Sequence, residues 1–355
     1  MGVATARRAG LRLLSASAIV WAAVVWSAAA SGRGGSDSLR QFSVSPAGMI
    51  RILAVGDINL GRIVGQEILS GDTLYPFQCV RDTLLEYDMV FGNLESQLSD
   101  QGGETQDPNN NLVFTGPPAG ARALRLGGVT VVSTANNHAL DYGVGALKET
   151  LSNLREARVL CAGTGLEAAR LYTPVRVDVG GIRIALFACT DFMNRPGNRW
   201  RRTVAAADTA RMLPAIRAAR NSADFIIVSY HGGDEYADRA ARRTRSFAHA
   251  VIRGGADLFL GHHPHVPYGI EEEQGKLMAY SLGNFVFYQP GKFWTGHSFA
   301  LDLLIAKDSL GTRVASYRCV PVRAGLQPEF LSGGDEARQT LDRIRSQSSA
   351  TLWEH

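Results

Sequence analysis

The chain is 355 residues long, 45% hydrophobic and 20% charged, with a formal net charge of +4. That composition belongs to a soluble globular protein with ample core for one large or two ordinary domains. Residues 1–30 carry Arg7, Arg8 and Arg12 and no acid, so without them 34 basic residues face 33 acidic ones, and a balance of +1 gives no reason to expect nucleic acid as a partner.

The three arginines precede an apolar run, Leu13–Ala30, that closes on Ser27-Ala-Ala-Ala-Ser31. A basic flank, an apolar stretch and small residues are the marks of an export signal, with cleavage expected near Ala30. At about 18 residues the run reaches the lower limit for crossing a bilayer, so an uncleaved membrane anchor is the alternative. Either way the expected location is extracytoplasmic, in the cell envelope. Residues 31–48 are rich in Ser and Gly and read as a flexible linker. The folded domain is expected over 49–332, with a C-terminal helix and tail over 333–355.

Order begins with the strand pattern of Met49–Asp57. Further strands are predicted at Met89–Phe91, Val129–Ser133, Val159–Cys161, Ile182–Ala188, Phe225–Ser229 and Leu258–Leu260. Helical patterns fall between them, at Pro76–Glu86, Pro118–Leu126, Val144–Ala157, Ala205–Asn221 and Arg239–Gly254. This alternation predicts an α/β fold with mainly parallel strands. After Lys276 it stops: Leu277–Ser281, Ser298–Ala306 and Arg313–Val322 have no long helix between them and are expected to pair antiparallel in a second sheet. Cys79, Cys161, Cys189 and Cys319 are scattered and form no C-x-x-C; Cys161 and Cys189 lie in apolar runs and read as core, and sequence alone assigns no pairing.

Each central strand runs into a polar cluster: Gly56-Asp-Ile-Asn59, Gly92-Asn-Leu-Glu95, Ala135-Asn-Asn-His138, Tyr230-His-Gly-Gly-Asp-Glu235 and Gly261-His-His-Pro-His265. In open α/β sheets ligands bind at the C-terminal strand edge. Three of the chain's eight histidines fall within four positions there, His262, His263 and His265, with Pro264 stiffening the backbone between two of them. Asn and Asp after a strand are ordinarily turn residues; five such clusters on one edge form a metal-ligand inventory. The mixed imidazole and carboxylate set suits Zn, Mn or Fe better than Ca or Mg.

With these motifs the chain resembles the capsule-synthesis CapA family of poly-γ-glutamate biosynthesis. The matching pieces are Val55-Gly-Asp-Ile-Asn-Leu-Gly-Arg62, Gly92-Asn-Leu-Glu95, Ala135-Asn-Asn-His-Ala-Leu-Asp-Tyr-Gly143, His231-Gly-Gly-Asp-Glu-Tyr236, Gly261-His-His-Pro-His-Val266 and Tyr280-Ser-Leu-Gly-Asn-Phe-Val-Phe287, in family order over about residues 50–290. The family's fold is similar to that of calcineurin-like metallophosphoesterases, which implies a four-layer α/β/β/α sandwich. The same likeness implies metal ligands at Asp57, Asn137, His231, His263 and His265, and a leaving-group histidine at His138. The phosphoesterase Asp-x-His stands here as Asp57-Ile58-Asn59, so one imidazole is missing. The bridging aspartate has no clear equivalent, and Glu95 is the candidate for its place. One ion or two are both compatible with this set.

Three roles follow. In a metal-dependent hydrolase, a metal lowers the pKa of bound water. His138 would then donate a proton oriented by Asp141, and Glu235 would be a second acid/base. Alternatively, a non-catalytic accessory holds an acidic polymer such as poly-γ-glutamate for a membrane synthase; a plain exported metallophosphodiesterase is the third role. Arg195, Arg199, Arg201 and Arg202 cluster after the Ile182–Ala188 strand, where arginine forks can grip carboxylates. Asn284 is expected near the site as a further substrate contact.

Overall fold

The structure, a computed structural model, describes residues 48–100 and 113–349. The apolar N-terminal run and nearly all of the expected linker lie outside the described residues, as do 350–355. Among the described residues no helix is long and apolar enough to cross a membrane.

In chain order the elements are β1 (Met49–Ile58), α1 (Arg62–Leu69), α2 (Arg81–Leu84), β2 (Met89–Leu94), β3 (Gln97–Leu98), β4 (Thr115–Gly116), α3 (Gly120–Gly127), β5 (Val131–Ser133), α4 (Gly143–Glu156), β6 (Leu160–Ala162), β7 (Val175–Val179), β8 (Ile182–Thr190), α5 (Thr209–Arg220), β9 (Phe225–His231), α6 (Arg242–Arg253), β10 (Leu258–His262), β11 (Ile270–Glu273), β12 (Lys276–Ala279), β13 (Asn284–Val286), β14 (His297–Asp308), β15 (Gly311–Arg323), β16 (Glu329–Phe330) and α7 (Gly334–Ser346). One sheet has the order β16-β15-β14-β1-β2-β5-β6, with β13 also on β1; the other has the order β11-β12-β10-β9-β8-β7. β1, β2, β5 and β6 run parallel, as do β8, β9, β10 and β12.

The layers follow from strand alternation. Ile50, Ile52 and Ala54 of β1 pack with Ile184 and Leu186 of β8, Phe225 and Ile227 of β9, and Leu258 and Leu260 of β10, between the two sheets. The alternate residues Leu53 and Val55 pack against Val64, Ile68 and Leu124 of the first helical layer. On the far side Ile226 and Val228 pack against Met212, Ile216, Phe247 and Val251 of α5 and α6. Each such fully buried aliphatic side chain contributes about 1.5–3 kcal/mol of burial free energy. The result is the expected four-layer α/β/β/α sandwich.

Two expectations are corrected. Pro76–Glu86 is not one helix but a 3-10 turn, Tyr75–Phe77, followed by the four-residue α2. The apolar contacts that suggested a helix survive, since Phe77, Val80 and Leu84 are all buried. The three late strands do not form a sheet of their own. β12 joins β10 in parallel, whereas β14 and β15 are a hairpin that extends the β1 sheet. β14 is buried on most of its length, which requires a central position, and β1 offers the open edge. The extra strand β11 pairs with β12 through Gln274-Gly275, both at positive φ, the backbone that a two-residue hairpin turn needs. α7 occupies the place expected for the terminal helix.

Candidate metal centre

The site is the polar end of the rows that form the inter-sheet core. On β2, Met89 and Phe91 face the core, and the same face continues through Asn93 to Glu95. On β9 the row Phe225, Ile227, Ser229 ends in His231; on β10 Leu258 and Leu260 lead to His262. β1 shows the exception: its register shifts between Ala54 and Asp57, and this irregularity turns an odd-numbered aspartate into an even-numbered row. Beyond β10 the chain places His263 and His265 at φ of 97° and 60°. Positive φ is costly for residues with a Cβ and collects at functional sites.

The segment from Tyr280 to Val286 brings the sheets together. It leaves β12, accepts the Asp57 amide at the Gly283 carbonyl (2.9 Å), donates the Leu282 amide to the Gly261 carbonyl (3.1 Å), and becomes β13 beside β1. Such close approach requires glycine: a Cβ on Gly56 would lie 1.9 Å from the Gly283 oxygen, and one on Gly261 2.0 Å from the Tyr280 oxygen.

Three sets of donor atoms converge, each within 4.8 Å: Glu95, His231 and His263; Asp57, Glu95 and His265; and Glu235, His263 and His265. Glu95 belongs to two of them. Its Oε1 lies 3.5 Å from His231 Nε2, 3.9 Å from His138 Nε2 and 4.0 Å from His265 Nε2. His231 Nε2 also faces Asn137 Oδ1 at 2.7 Å, and Asn137 Nδ2 donates to Asn194 Oδ1 at 3.0 Å. Asp57 Oδ1 accepts from Asn93 Nδ2 at 2.8 Å and lies 3.4 Å from His262 Nδ1; its Oδ2 lies 3.5 Å from His265 Nδ1. His138 Nδ1 and Asp141 Oδ2 are 2.6 Å apart, and the same oxygen accepts the Phe114 amide at 2.7 Å. Phe114 stacks on the His138 ring with centroids 4.0 Å apart, so the imidazole is held on its edge and its face.

The electrostatics match a cation-binding centre. Burial pushes the Asp57 carboxyl up, but the close imidazoles of His262 and His265, with ring nitrogens 3.4 and 3.5 Å from its oxygens, overcome this and hold it well below the usual carboxylate range. Burial drives Glu95 well above that range, reinforced by the Asp57, Glu235 and Asp141 carboxylates. Burial, then neighbouring His263, keeps His231 well below the ordinary histidine value, and burial and His265 hold His263 at about 3. For His265 burial works downward, yet Asp57 and Asn284 raise it. Both Glu95 carboxylate oxygens, both His262 ring nitrogens and His263 Nδ1 are buried with no hydrogen-bond partner among the described residues. A fully buried carboxylate without a partner costs several kcal/mol unless it is protonated or binds a cation. Neutral imidazoles beside such a carboxylate fit a transition metal, so the donors expected from sequence, Asp57, Glu95, Asn137, His231, His263 and His265, are chemically matched to that ion.

His138 and Asp141 stand against the same centre, and Glu235 is exposed at its rim, well before α6 begins, so it is not a helix-start carboxylate. Arg195 reaches the backbone carbonyl of Asp141, beside the centre. Arg199, Arg201 and Arg202 are exposed on a 3-10 turn pinned by buried Trp200, with Arg201 over the Trp200 ring. Asn284 corrects its expectation. It is fully buried, bonded to His265 and to Gln289 and Thr295, and contacts the centre from behind. Asn59, at the missing imidazole, accepts the Gly61 amide at 2.9 Å as a turn residue. Asn93, His262 and Asn194 were not assigned roles from sequence. The first two are marked by strand alternation, because they share a face with Glu95 and Leu260. Asn194 sits in an irregular loop with no such signal.

The model of the family described as bacterial capsule synthesis protein PGA_cap matches residues 51–289. The "PGA biosynthesis protein CapA" of Bacillus subtilis is 34% identical over 240 residues, covering 66% of this chain and 62% of that protein. A Mycobacterium tuberculosis protein described as "Probable polyglutamine synthesis accessory protein" is 30% identical over 278 residues, 72% of each chain. Among solved structures, the calcineurin-like phosphoesterase YfkN of Bacillus subtilis is 14% identical with a TM-score of 0.44, covering 85% of this chain and 97% of that one. The matched span runs from β1 to the residues just after β13 and so contains every donor of the centre, and the chain belongs to the bacterial capsule synthesis protein family PGA_cap.

Proposed function

We propose that this chain is an exported, metal-dependent hydrolase of capsule or poly-γ-glutamate synthesis or processing. The observation that carries the reading is Glu95: a buried carboxylate without a hydrogen-bond partner among the described residues, shared by two donor sets and facing the His138–Asp141 pair. Asp57, Glu95, Asn137, His231, His263 and His265 would hold one or two ions of Zn, Mn or Fe, with Glu95 belonging to two of the donor sets. When bound, such an ion polarises the scissile group and acidifies water. Asp141 fixes one ring nitrogen of His138 and leaves the other turned to the centre, 3.9 Å from Glu95, where it would pass a proton as a general acid. Arg195 and the neighbouring arginines meet the carboxylates of the polymer. Two features of the names given to relatives support the pathway: PGA biosynthesis and a polyglutamine synthesis accessory role. The second of these favours an alternative reading, in which the centre positions polymer for a membrane synthase without cleaving it.

The discriminating experiment measures the metal content of the purified chain and its release of products from poly-γ-glutamate and from a phosphodiester, for wild type and His138→Ala. Hydrolysis lost in His138→Ala with metal retained supports the hydrolase. Polymer binding with metal present and no turnover supports the accessory.

A further inference from the structure

Behind His265 runs a chain of hydrogen bonds whose direction the structure determines. The Thr295 backbone carbonyl can only accept, so the Asn284 atom 3.0 Å away is its amide nitrogen. The same nitrogen donates to Gln289 Oε1 at 3.3 Å, so the other end of Gln289 is a donor, and it reaches the Tyr236 hydroxyl oxygen at 2.5 Å. With its nitrogen committed, Asn284 must present Oδ1 to His265 Nδ1 at 2.9 Å, and His265 must donate. Tyr236 is pinned as well: it sits at φ 58°, its amide donates to the Pro264 carbonyl at 3.0 Å, and its ring lies over His265 with centroids 6.1 Å apart.

We propose that Gln289 and Asn284 are positioning residues that fix the His265 proton on Nδ1, leaving the Nε2 lone pair turned toward Glu95, while Tyr236 ties the same chain to the Glu235 rim. The consequence for metal binding rests on the proposed function, but the tautomer exists without metal. Partners that set a ligand histidine's tautomer typically alter metal affinity by about 10–100-fold. Gln289 is only half-buried, so it can be replaced without opening the core.

The test uses full-length protein labelled with 15N-histidine. Long-range proton–nitrogen spectra are recorded without metal at mildly alkaline pH, with the His265 signals assigned by their loss in His265→Gln. Zinc affinity is measured in parallel by chelator competition, and folding by circular dichroism. Expected are a single Nδ1-protonated His265 in wild type, a mixed tautomer and about tenfold weaker zinc binding in Gln289→Leu, and recovery in Gln289→Glu, which retains the acceptor for Asn284. Asn284→Leu should show the larger loss. An Nε2-protonated His265 in wild type would overturn the proposal, as would wild-type tautomer and zinc affinity in folded Gln289→Leu. Wild type with the Nδ1 proton but no zinc uptake would support the network and refute the metal reading instead.

Discussion

Glu95 and the histidines around it set the pH behaviour of the metal-free protein, and the sign follows from each shift. His231 and His263 have folded pKa values below their unfolded value of about 6.5. As pH falls from about 6.5 to about 3, the unfolded chain takes up protons that the folded chain refuses, so these two residues remove stability through that window. Asp57 adds to the loss at lower pH: its contribution is present above its unfolded value of about 3.9 and disappears as pH falls through its depressed folded value. Glu95 and His265, both raised, act the other way; their contribution is full below their unfolded values and is lost as pH rises. The overall slope of thermal melts in chelator is the balance of these opposed groups, but His263→Gln, whose side chain does not titrate, should lose less stability than wild type as pH falls from about 6.5 to about 3. An identical slope in that variant would remove His263 from the account. Asp141→Asn, which weakens the hold on His138, should lower any turnover by about 10²–10⁴-fold while zinc affinity changes little; kinetics and chelator competition read the two separately. Loss of zinc without loss of turnover would contradict the assigned roles.

At the scale of elements, the crossing segment Tyr280–Val286 decides whether the two sheets meet at the centre. Gly261→Ala places a methyl group 2.0 Å from the Tyr280 oxygen, a backbone atom that cannot rotate away. It should destabilise the chain by more than about 3 kcal/mol in urea unfolding, because overpacking against backbone belongs to the severe class of substitutions. A change under about 1 kcal/mol would show that the segment yields. The parallel strands were legible because each is an apolar run that ends in polar residues, and the donor rows were legible because Asp57, Glu95, His231 and His263 follow those runs directly. The sheet assignment of β12, β14 and β15 was not, since local pattern says that a strand exists but not which edge it joins. The role of Asn284 was hidden for a similar reason. It lies in a motif beside the centre, and only the Thr295 carbonyl, eleven residues away, shows that its amide points inward. The irregularity before Asp57 leaves no trace in local hydrophobicity.

Across the whole molecule, the loop after β8 brings Arg195 to the Asp141 carbonyl beside the centre and carries Arg199, Arg201 and Arg202 exposed farther along. We infer that export delivers the centre and this loop to the cell envelope, with cleavage near Ala30 or retention through the apolar run; sequencing the N-terminus of the secreted or membrane-bound protein tests this, and full-length protein confined to the cytoplasm would refute it. A charge balance of +1 outside residues 1–30 provides little long-range attraction, so an acidic polymer must be held locally. Replacing all four arginines by Ser should weaken poly-γ-glutamate binding and flatten its salt dependence, since exposed pairs contribute only about 0–1 kcal/mol each and are screened within about 10 Å at 0.1 M salt. Equal affinity and salt slope in the variant would make the loop ordinary surface. The central claim is that Glu95 joins the donor sets into one cation centre, and calorimetric zinc titration of the full-length chain in buffers of differing protonation enthalpy tests it most directly. Because burial pushes the Glu95 carboxyl up in the absence of metal, zinc binding should release protons, and Glu95→Gln should release fewer and lose at least about 100-fold in affinity. Zinc bound by Glu95→Gln with wild-type affinity and the same proton release would contradict it.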